Sequence, residues 1–236
     1  MTDAWPGAAR RDVPWSSPTH AVRAPLAAWL QEEARRAGTD FGRYRLLDVG
    51  CGPKPYYPFF EPFTSEYVGV DVVENPAAEL RGPVEALPVP DASFDVVLCS
   101  QVLEHCDDPA QAVRELRRVT RPGGRVLAST HGVQVYHPSP VDLWRWTHAG
   151  LERLFTQSAA WSSVTVRPSS GTTACLGMLA SIYIDLLSRR AHVAPAGRAL
   201  VSGINHAAAA LDGRSTGLRE IRSGALIANF HVVADA

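Results

Sequence analysis

The sequence predicts an α/β fold organised around one nucleoside-binding strand–turn–strand unit, and three features carry that prediction. Leu46, Leu47 and Val49 form an apolar run of strand length. Gly50 and Gly52 then break it, as a sharp turn or a ligand lying against the backbone requires, because a Cβ would collide with either. Roughly 20 residues further on, the run Tyr67-Val68-Gly69-Val70-Asp71 reads as a second strand ending in a carboxylate. A glycine turn with an acid at that spacing suits a nucleoside whose ribose hydroxyls meet the acid.

A chain of 236 residues suits one such domain with an elaboration and is short for two. Its hydrophobic fraction of 46% and charged fraction of 20% are those of an ordinary globular protein. The net charge of -1, without a Lys/Arg cluster, argues against a nucleic-acid partner. Cys51, Cys99, Cys106 and Cys175 form no C-x-x-C pair, so neither a zinc knuckle nor a redox couple is indicated, and the reading is cytoplasmic. Met1 to Trp15 has no continuous apolar core and does not read as a signal peptide. The longest apolar stretch, Ala174 to Leu187, is interrupted by Asp185 and is too short to span a membrane.

In chain order, residues 1–18 read as an irregular arm that Trp5 and Trp15 order in part, and 19–236 as a single domain. Thr19 to Gly38 has helical periodicity, with Val22, Leu26, Trp29, Leu30 and Ala34 on one face and Gly38 as the stop. After the glycine turn, prolines 53, 55 and 58 delay the next helix. Glu74 to Leu80 leaves room for a short helix, and Val96 to Ser100 is a further strand. Asp108 caps a helix running to about Thr120, with Pro109 at its first position and Gln111 completing a capping box. Arg121 to Gly124 is a turn into the strand Arg125 to Thr130. Thr147 caps a helix to Gln157, Trp161 to Arg167 alternates as a strand, and Ala225 to Ala234 is the closing strand. Two helical stretches, Ala174–Arg190 and Pro195–Leu211, fall within an insertion at about 170–223.

The run Asp48-Val49-Gly50-Cys51-Gly52-Pro53-Lys54 resembles the first motif of the class I S-adenosylmethionine-dependent methyltransferases, with Lys54 in place of the third glycine. Three further stretches carry the same resemblance: Gly82 to Val97, the Val102-Leu103-Glu104-His105 loop ending in Asp108-Pro109, and the Arg121-Pro122-Gly123-Gly124 turn with its strand. The resemblance implies a Rossmann-like sheet of seven mostly parallel strands, the last antiparallel beside the fifth, with helices on both faces. It implies S-adenosylmethionine as cofactor, S-adenosylhomocysteine as product, and Asp48, Gly50, Gly52, Asp71, Ser100 and His105 around it. The family's adenine-binding aspartate aligns with Pro83, so the Val84 backbone N–H and the Glu85 carboxylate are the expected substitutes. The class lacks helices between its last two strands. The insertion is therefore a lid, a dimer surface or a peripheral membrane contact, the last disfavoured by Asp185.

His137-Pro138 through Thr147 resembles an H-P-x-P-x-D-x-W-R-x-T run of a poorly characterised subgroup, at the mouth where acceptors bind in this architecture. Tyr136, Trp144 and Arg145 are the candidate acceptor-binding residues, with Arg145 either paired to Asp142 or gripping an anion. Should the acceptor be a hydroxyl, His137 is the first candidate base and His131 the second. The spacing of His131, His137 and Asp142 fits no metal pattern, and no metal is expected. The expected function is methyl transfer to a small-molecule acceptor, O- or N-linked, in a biosynthetic pathway, by a monomer or homodimer. The alternative is a non-catalytic or repurposed cofactor-binding module, such as a regulatory partner or a cyclase. A nicotinamide-dependent reductase is weaker still, since no Tyr-x-x-x-Lys follows.

Overall fold

In the computed structural model, which describes residues 5–138, 140–214 and 220–236, the chain forms a seven-stranded sheet in the order β3-β2-β1-β4-β5-β7-β6. Expectations that fall on residues 1–4, 139 and 215–219 lie outside the described residues. The strands are β1 (Tyr44–Val49), β2 (Thr64–Asp71), β3 (Leu80–Arg81), β4 (Phe94–Ser100), β5 (Thr120–His131), β6 (Ser163–Pro168) and β7 (Asn229–Asp235). β1, β2, β3, β4 and β5 pair in parallel, and β7 runs antiparallel between β5 and β6. The Rossmann-like sheet with an antiparallel last strand is thus the observed fold.

Strand alternation feeds two cores. Leu47, Val49, Val97 and Cys99 face one side, where α4 (Pro109–Val119) and α5 (His148–Ser158) bury Val113, Leu116, Leu151 and Phe155. Leu46, Val96 and Leu98 face the other, against Leu26, Leu30 and Ala34 of α2 (His20–Phe41) and Phe60 of the short α3 (Tyr57–Phe60). Burial on both faces explains why β1 and β4 read as continuous apolar runs rather than as alternating ones.

Several boundaries differ from the sequence reading. The first long helix passes through Gly38 and stops at Gly42, whose φ of 69° ends it. Glu74 to Glu79 forms turns, not a helix: Asn75 holds the Ala77 and Ala78 amides, and the chain pairs briefly as β3. Asp108 accepts from the Gln111 N–H at 3.0 Å, but the Gln111 side chain reaches the Glu85 carbonyl, so the capping box is only half formed. The turn at Arg121 to Gly124 is absorbed into β5, and Ala225 to Ala228 precedes the closing strand rather than belonging to it.

The insertion is a helical hairpin, α6 (Thr172–Arg190) and α7 (Ala194–Arg214). Buried Asp212 of α7 accepts from the Thr173 and Ala174 amides, so a carboxylate compensates the free N–H groups at the start of α6. At the N-terminus, α1 (Ala8–Arg11) lies in an arm that packs across the body: Trp15 stacks on His20 and His206, and Asn205 donates to the Trp15 and Ser17 carbonyls.

Candidate functional site

The ends of the parallel strands converge on the glycine turn. Val49 pairs with Val70 on one side and Cys99 on the other, so Gly50 sits between Asp71 and Ser100. Gly50 and Gly52 take φ of 67° and 51°, and a Cβ at Gly50 would stand 2.4 Å from Val102 Cγ2. No atom lies within 4 Å of where a Cβ of Gly52 would be, so space is open above the turn.

Asp71 sits at the rim of that space. Its Oδ2 accepts from the Gly52 N–H and from Asn75 Nδ2, both at 3.0 Å, and Oδ1 has only a long 3.3 Å bond from Val73 N–H. Oδ1 therefore keeps acceptor capacity for a diol. Beside it Val72 and Val73 are 58% and 59% exposed, an apolar shelf with no packing role in the fold.

Asp48 lies beneath the turn rather than in it. The Tyr67 hydroxyl donates to its Oδ2 at 2.6 Å, and burial pushes the carboxyl up to about 7. Lys54, at the position of the missing third glycine, has a left-handed φ of 49° and turns its ammonium inward to Glu79 at 2.5 and 2.6 Å. Glu79 also accepts from the Gly69 N–H, so this ion pair staples the turn to β2. A cavity of about 400 Å³ opens beside it, lined by Trp5, Tyr57 and Thr64 among others. It flanks the first half of β2, away from the carboxyl ends of strands where ligands bind in open α/β sheets.

The candidate adenine pair is divided. Val84 is buried in the core, and the Glu85 carboxylate accepts from the Asp107 N–H at 3.0 Å, tying it to the loop after β4. Ser100 hydrogen-bonds with Ser129 at 3.0 Å. The next residue, Gln101, has a φ of 58° and donates to Ser129 and Asn229; as a strained non-glycine residue at a strand end it has no sequence signature.

On the acceptor side the structure brings His105, His131 and His137 together. His137 stands 5.5 Å from His131 and 5.3 Å from His105 between ring centroids. His105, expected near the cofactor, instead bonds the Val141 carbonyl at 2.6 Å and braces the acceptor loop. Beneath them lies Glu104, wholly buried and not singled out from sequence although it stands in the Val102–His105 motif. Its Oε2 accepts from Thr130, its Oε1 is 3.2 Å from His131 Nε2, and its carbonyl accepts from Leu143 and Trp144. Burial raises the Glu104 carboxyl to about 7 and lowers His131 to about 4. His131 Nδ1 is buried without a partner among the described residues.

Arg145 grips both oxygens of Asp142 at 2.5 Å and donates to the Gln134, Val135 and Trp144 carbonyls. Its donors hold the loop through these contacts. Trp144 donates to the Cys106 carbonyl at 2.7 Å, and Tyr136 stands 71% exposed. His105, His137 and Asp142 offer ligand atoms within 4.8 Å of one another. With both Asp142 oxygens bonded to a guanidinium, the trio is a loop latch already carrying its cation.

Comparison with known proteins agrees with this geometry. Residues 47–128 match the family described as a methyltransferase domain. An uncharacterised methyltransferase of Bacillus subtilis, YcgJ, is 35% identical over 104 residues, 37% of this chain and 41% of that protein. A ubiquinone biosynthesis O-methyltransferase of Bordetella bronchiseptica is 34% identical over 128 residues, 48% of this chain and 52% of that protein. The chain spans about half the length of the curated relatives it matches. Among solved structures, a SAM-dependent methyltransferase from Archaeoglobus fulgidus superposes with a TM-score of 0.54 at 14% identity, covering 89% of this chain and 94% of that one. The cyclase SpnF superposes at 0.56 with 16% identity, covering 90% and 82%. Residues 47–128 thus match a methyltransferase domain, and the fold around them is the one shared with the SAM-dependent methyltransferase from Archaeoglobus fulgidus.

Proposed function

We infer that this protein transfers a methyl group from S-adenosylmethionine to a small-molecule acceptor, with a hydroxyl as the acceptor atom the site suits best. The observation that carries the reading is the pairing of Asp71, with Oδ1 underused at the rim of the Gly50–Gly52 turn, with a histidine cluster around the end of β5, two strands from β1, which bears that turn. Two strand spacings are roughly 10 Å, a reach that suits a nucleoside sulfonium on one side and an acceptor on the other.

The residues fit the cofactor. Gly50 and Gly52 leave the backbone open to it, Asp71 would hold the ribose hydroxyls, and Val72 with the Val84 N–H and Glu85 would border the adenine. Asp48 supports the turn through Tyr67. When bound, S-adenosylmethionine supplies a methyl carbon already activated by its sulfonium. This chain's residues then have two tasks, alignment and removal of one proton. Positioning alone supplies roughly 7–11 kcal/mol when the geometry is good.

For a hydroxyl acceptor, His131 and His137 are the candidate bases. Glu104 Oε1 lies 3.2 Å from His131 Nε2 with no hydrogen bond formed between them; an ionised Glu104 turned onto Nε2–H would leave Nδ1 as the nitrogen that takes the acceptor's proton. Held by Asp71 and the glycine turn, the cofactor would supply the methyl carbon and would leave as a neutral thioether. Tyr136 and Trp144 wall the mouth, and Arg145 keeps it in shape. A reducing, cytoplasmic setting belongs to the same reading, with all four cysteines free and buried.

Calorimetry with S-adenosylmethionine tests the first half. Asp71→Ala is expected to weaken binding at least about tenfold, the equivalent of one lost charge-assisted hydrogen bond; unchanged affinity would overturn the assignment. Turnover across hydroxyl and amine acceptors tests the second half. The fold also occurs in the cyclase SpnF, so binding without methyl transfer to any acceptor would point to a repurposed module.

A further inference from the structure

The α6–α7 hairpin leaves large apolar side chains in solvent that the packing of the fold does not use. On α6, Leu176, Tyr183 and Leu187 recur at helical spacing and are 50%, 58% and 60% exposed. On α7, Leu200 and Leu211 lie three turns apart and are 55% and 51% exposed. The opposite faces are spoken for: Ala174, Cys175 and Met178 pack against Ala21 and Val22 of α2. Each helix therefore has one stripe inside the protein and another facing out.

The tip of the hairpin is basic. Residues 183–200 contain Arg189, Arg190 and Arg198 against a single acid, Asp185, in a chain whose net charge is -1. Asp185, which argued against membrane contact in the sequence, is ion-paired with Arg189 at 2.8 Å and does not stand free on the surface. The apolar surface also continues toward the acceptor mouth. Gln134 of the loop after β5 reaches Met178 of α6, and that loop exposes Tyr136 and, at 54%, Val141.

Two occupants suit an apolar helical face, a second copy or a lipid surface, and charge separates them. A two-fold interface must be complementary to itself. The hairpin's only acids are Asp185, already paired, and Asp212, buried against the start of α6. Neither is free to answer Arg190 and Arg198 of another copy. An anionic bilayer answers both, with the leucines entering the headgroup boundary and the arginines meeting phosphate. Among the described residues no helix is long and apolar enough to cross a membrane, which leaves contact along the surface.

We propose that the outer face of the α6–α7 hairpin docks this protein onto an anionic membrane surface through Leu176, Tyr183, Leu187 and Leu200, with Arg190 and Arg198 on the lipid phosphates. Docking is separate from the methyl-transfer reading and stands or falls without it. The test is flotation of the full chain with phosphatidylglycerol/phosphatidylcholine vesicles and with phosphatidylcholine alone. Retention is expected on the anionic vesicles only, and it weakens with salt. Arg190→Gln and Arg198→Gln should each weaken it about fivefold. Leu187→Asp should abolish it while the thermal melt stays that of the parent; Leu200→Asp, on the other helix, repeats the test should the first variant misfold. Absence of retention at low salt would overturn the proposal, as would equal retention of all four variants. A concentration-dependent dimer in sedimentation, dispersed by Leu187→Asp without vesicle binding, would hand the face to a second copy.

Discussion

Glu104 is the side chain whose charge state depends most visibly on the fold. Wholly buried between Thr130 and His131, its carboxyl rises from 4.5 to about 7. Between those values the folded chain holds a proton that the unfolded chain has released. The group's contribution is therefore fully present below pH 4.5 and lost as the pH rises through 7. His131, lowered from 6.5 to about 4, runs the other way and opposes it. Glu104→Gln cancels only the first effect. Its stability relative to the parent should improve by up to about 3 kcal/mol between pH 4.5 and 7, read from urea melts across that range. A flat difference would mean that the carboxyl titrates normally. Little of this was visible in the sequence, which offers Glu104 only as one letter of a motif. What singles it out is burial beside Thr130 and His131 at the end of β5, and that exists only once β4 and β5 lie side by side. Asp48, Gly50, Gly52 and Asp71 were legible because their roles follow from a local turn and a strand end.

Among its described residues the loop from Gly132 to Thr147 has no strand or helix to hold it, and the Asp142–Arg145 pair takes that place. The Asp142 side chain is 1% exposed, and the guanidinium beside it holds its carboxyl well below the usual carboxylate range. Arg145→Ala would leave that carboxylate with the His137 N–H as its remaining hydrogen bond, at a cost of about 3 kcal/mol. Asp142→Asn in the same background should cost far less than it does alone, so a double-mutant cycle by chemical denaturation should give a coupling above about 1 kcal/mol. Additive losses would show that the two side chains hold the loop independently. At this scale the sequence was informative wherever a local signal set the outcome. Thr147 caps α5 by accepting from the Gly150 N–H, and the prolines delay α3 to Tyr57 as their missing donors require. It misled where tertiary contacts prevailed. Gly38 stays helical because the chain has a better stop at Gly42, and Glu79 is drawn to Lys54 and Gly69 rather than into a helix.

Across the whole molecule, the arm and the glycine turn are joined in a way neither shows alone. Trp5 stacks on Tyr57 at 4.3 Å and donates its indole N–H to the Lys54 carbonyl at 2.7 Å, while Arg11 donates to the Pro55 carbonyl. Lys54 and Pro55 are the residues that follow the turn. The arm therefore clamps the exit of the turn from outside as the Lys54–Glu79 pair clamps it from within. Two tryptophans in the first 15 residues hinted at order, but apart from His20 beside Trp15 their partners lie some 50 or more positions away and could not be read from spacing. Trp5→Ala removes one stack and one hydrogen bond, together worth about 2 kcal/mol of arm docking. The expected result is faster hydrogen exchange at Arg10 and Asp12, whose amides bond within the arm, with global stability nearly unchanged. Looser arm packing should also speed cofactor release, so the affinity for S-adenosylmethionine falls through its dissociation rate. Faster exchange in the arm with an unaltered dissociation rate would confine the clamp to a folding role and leave the turn rigid without it.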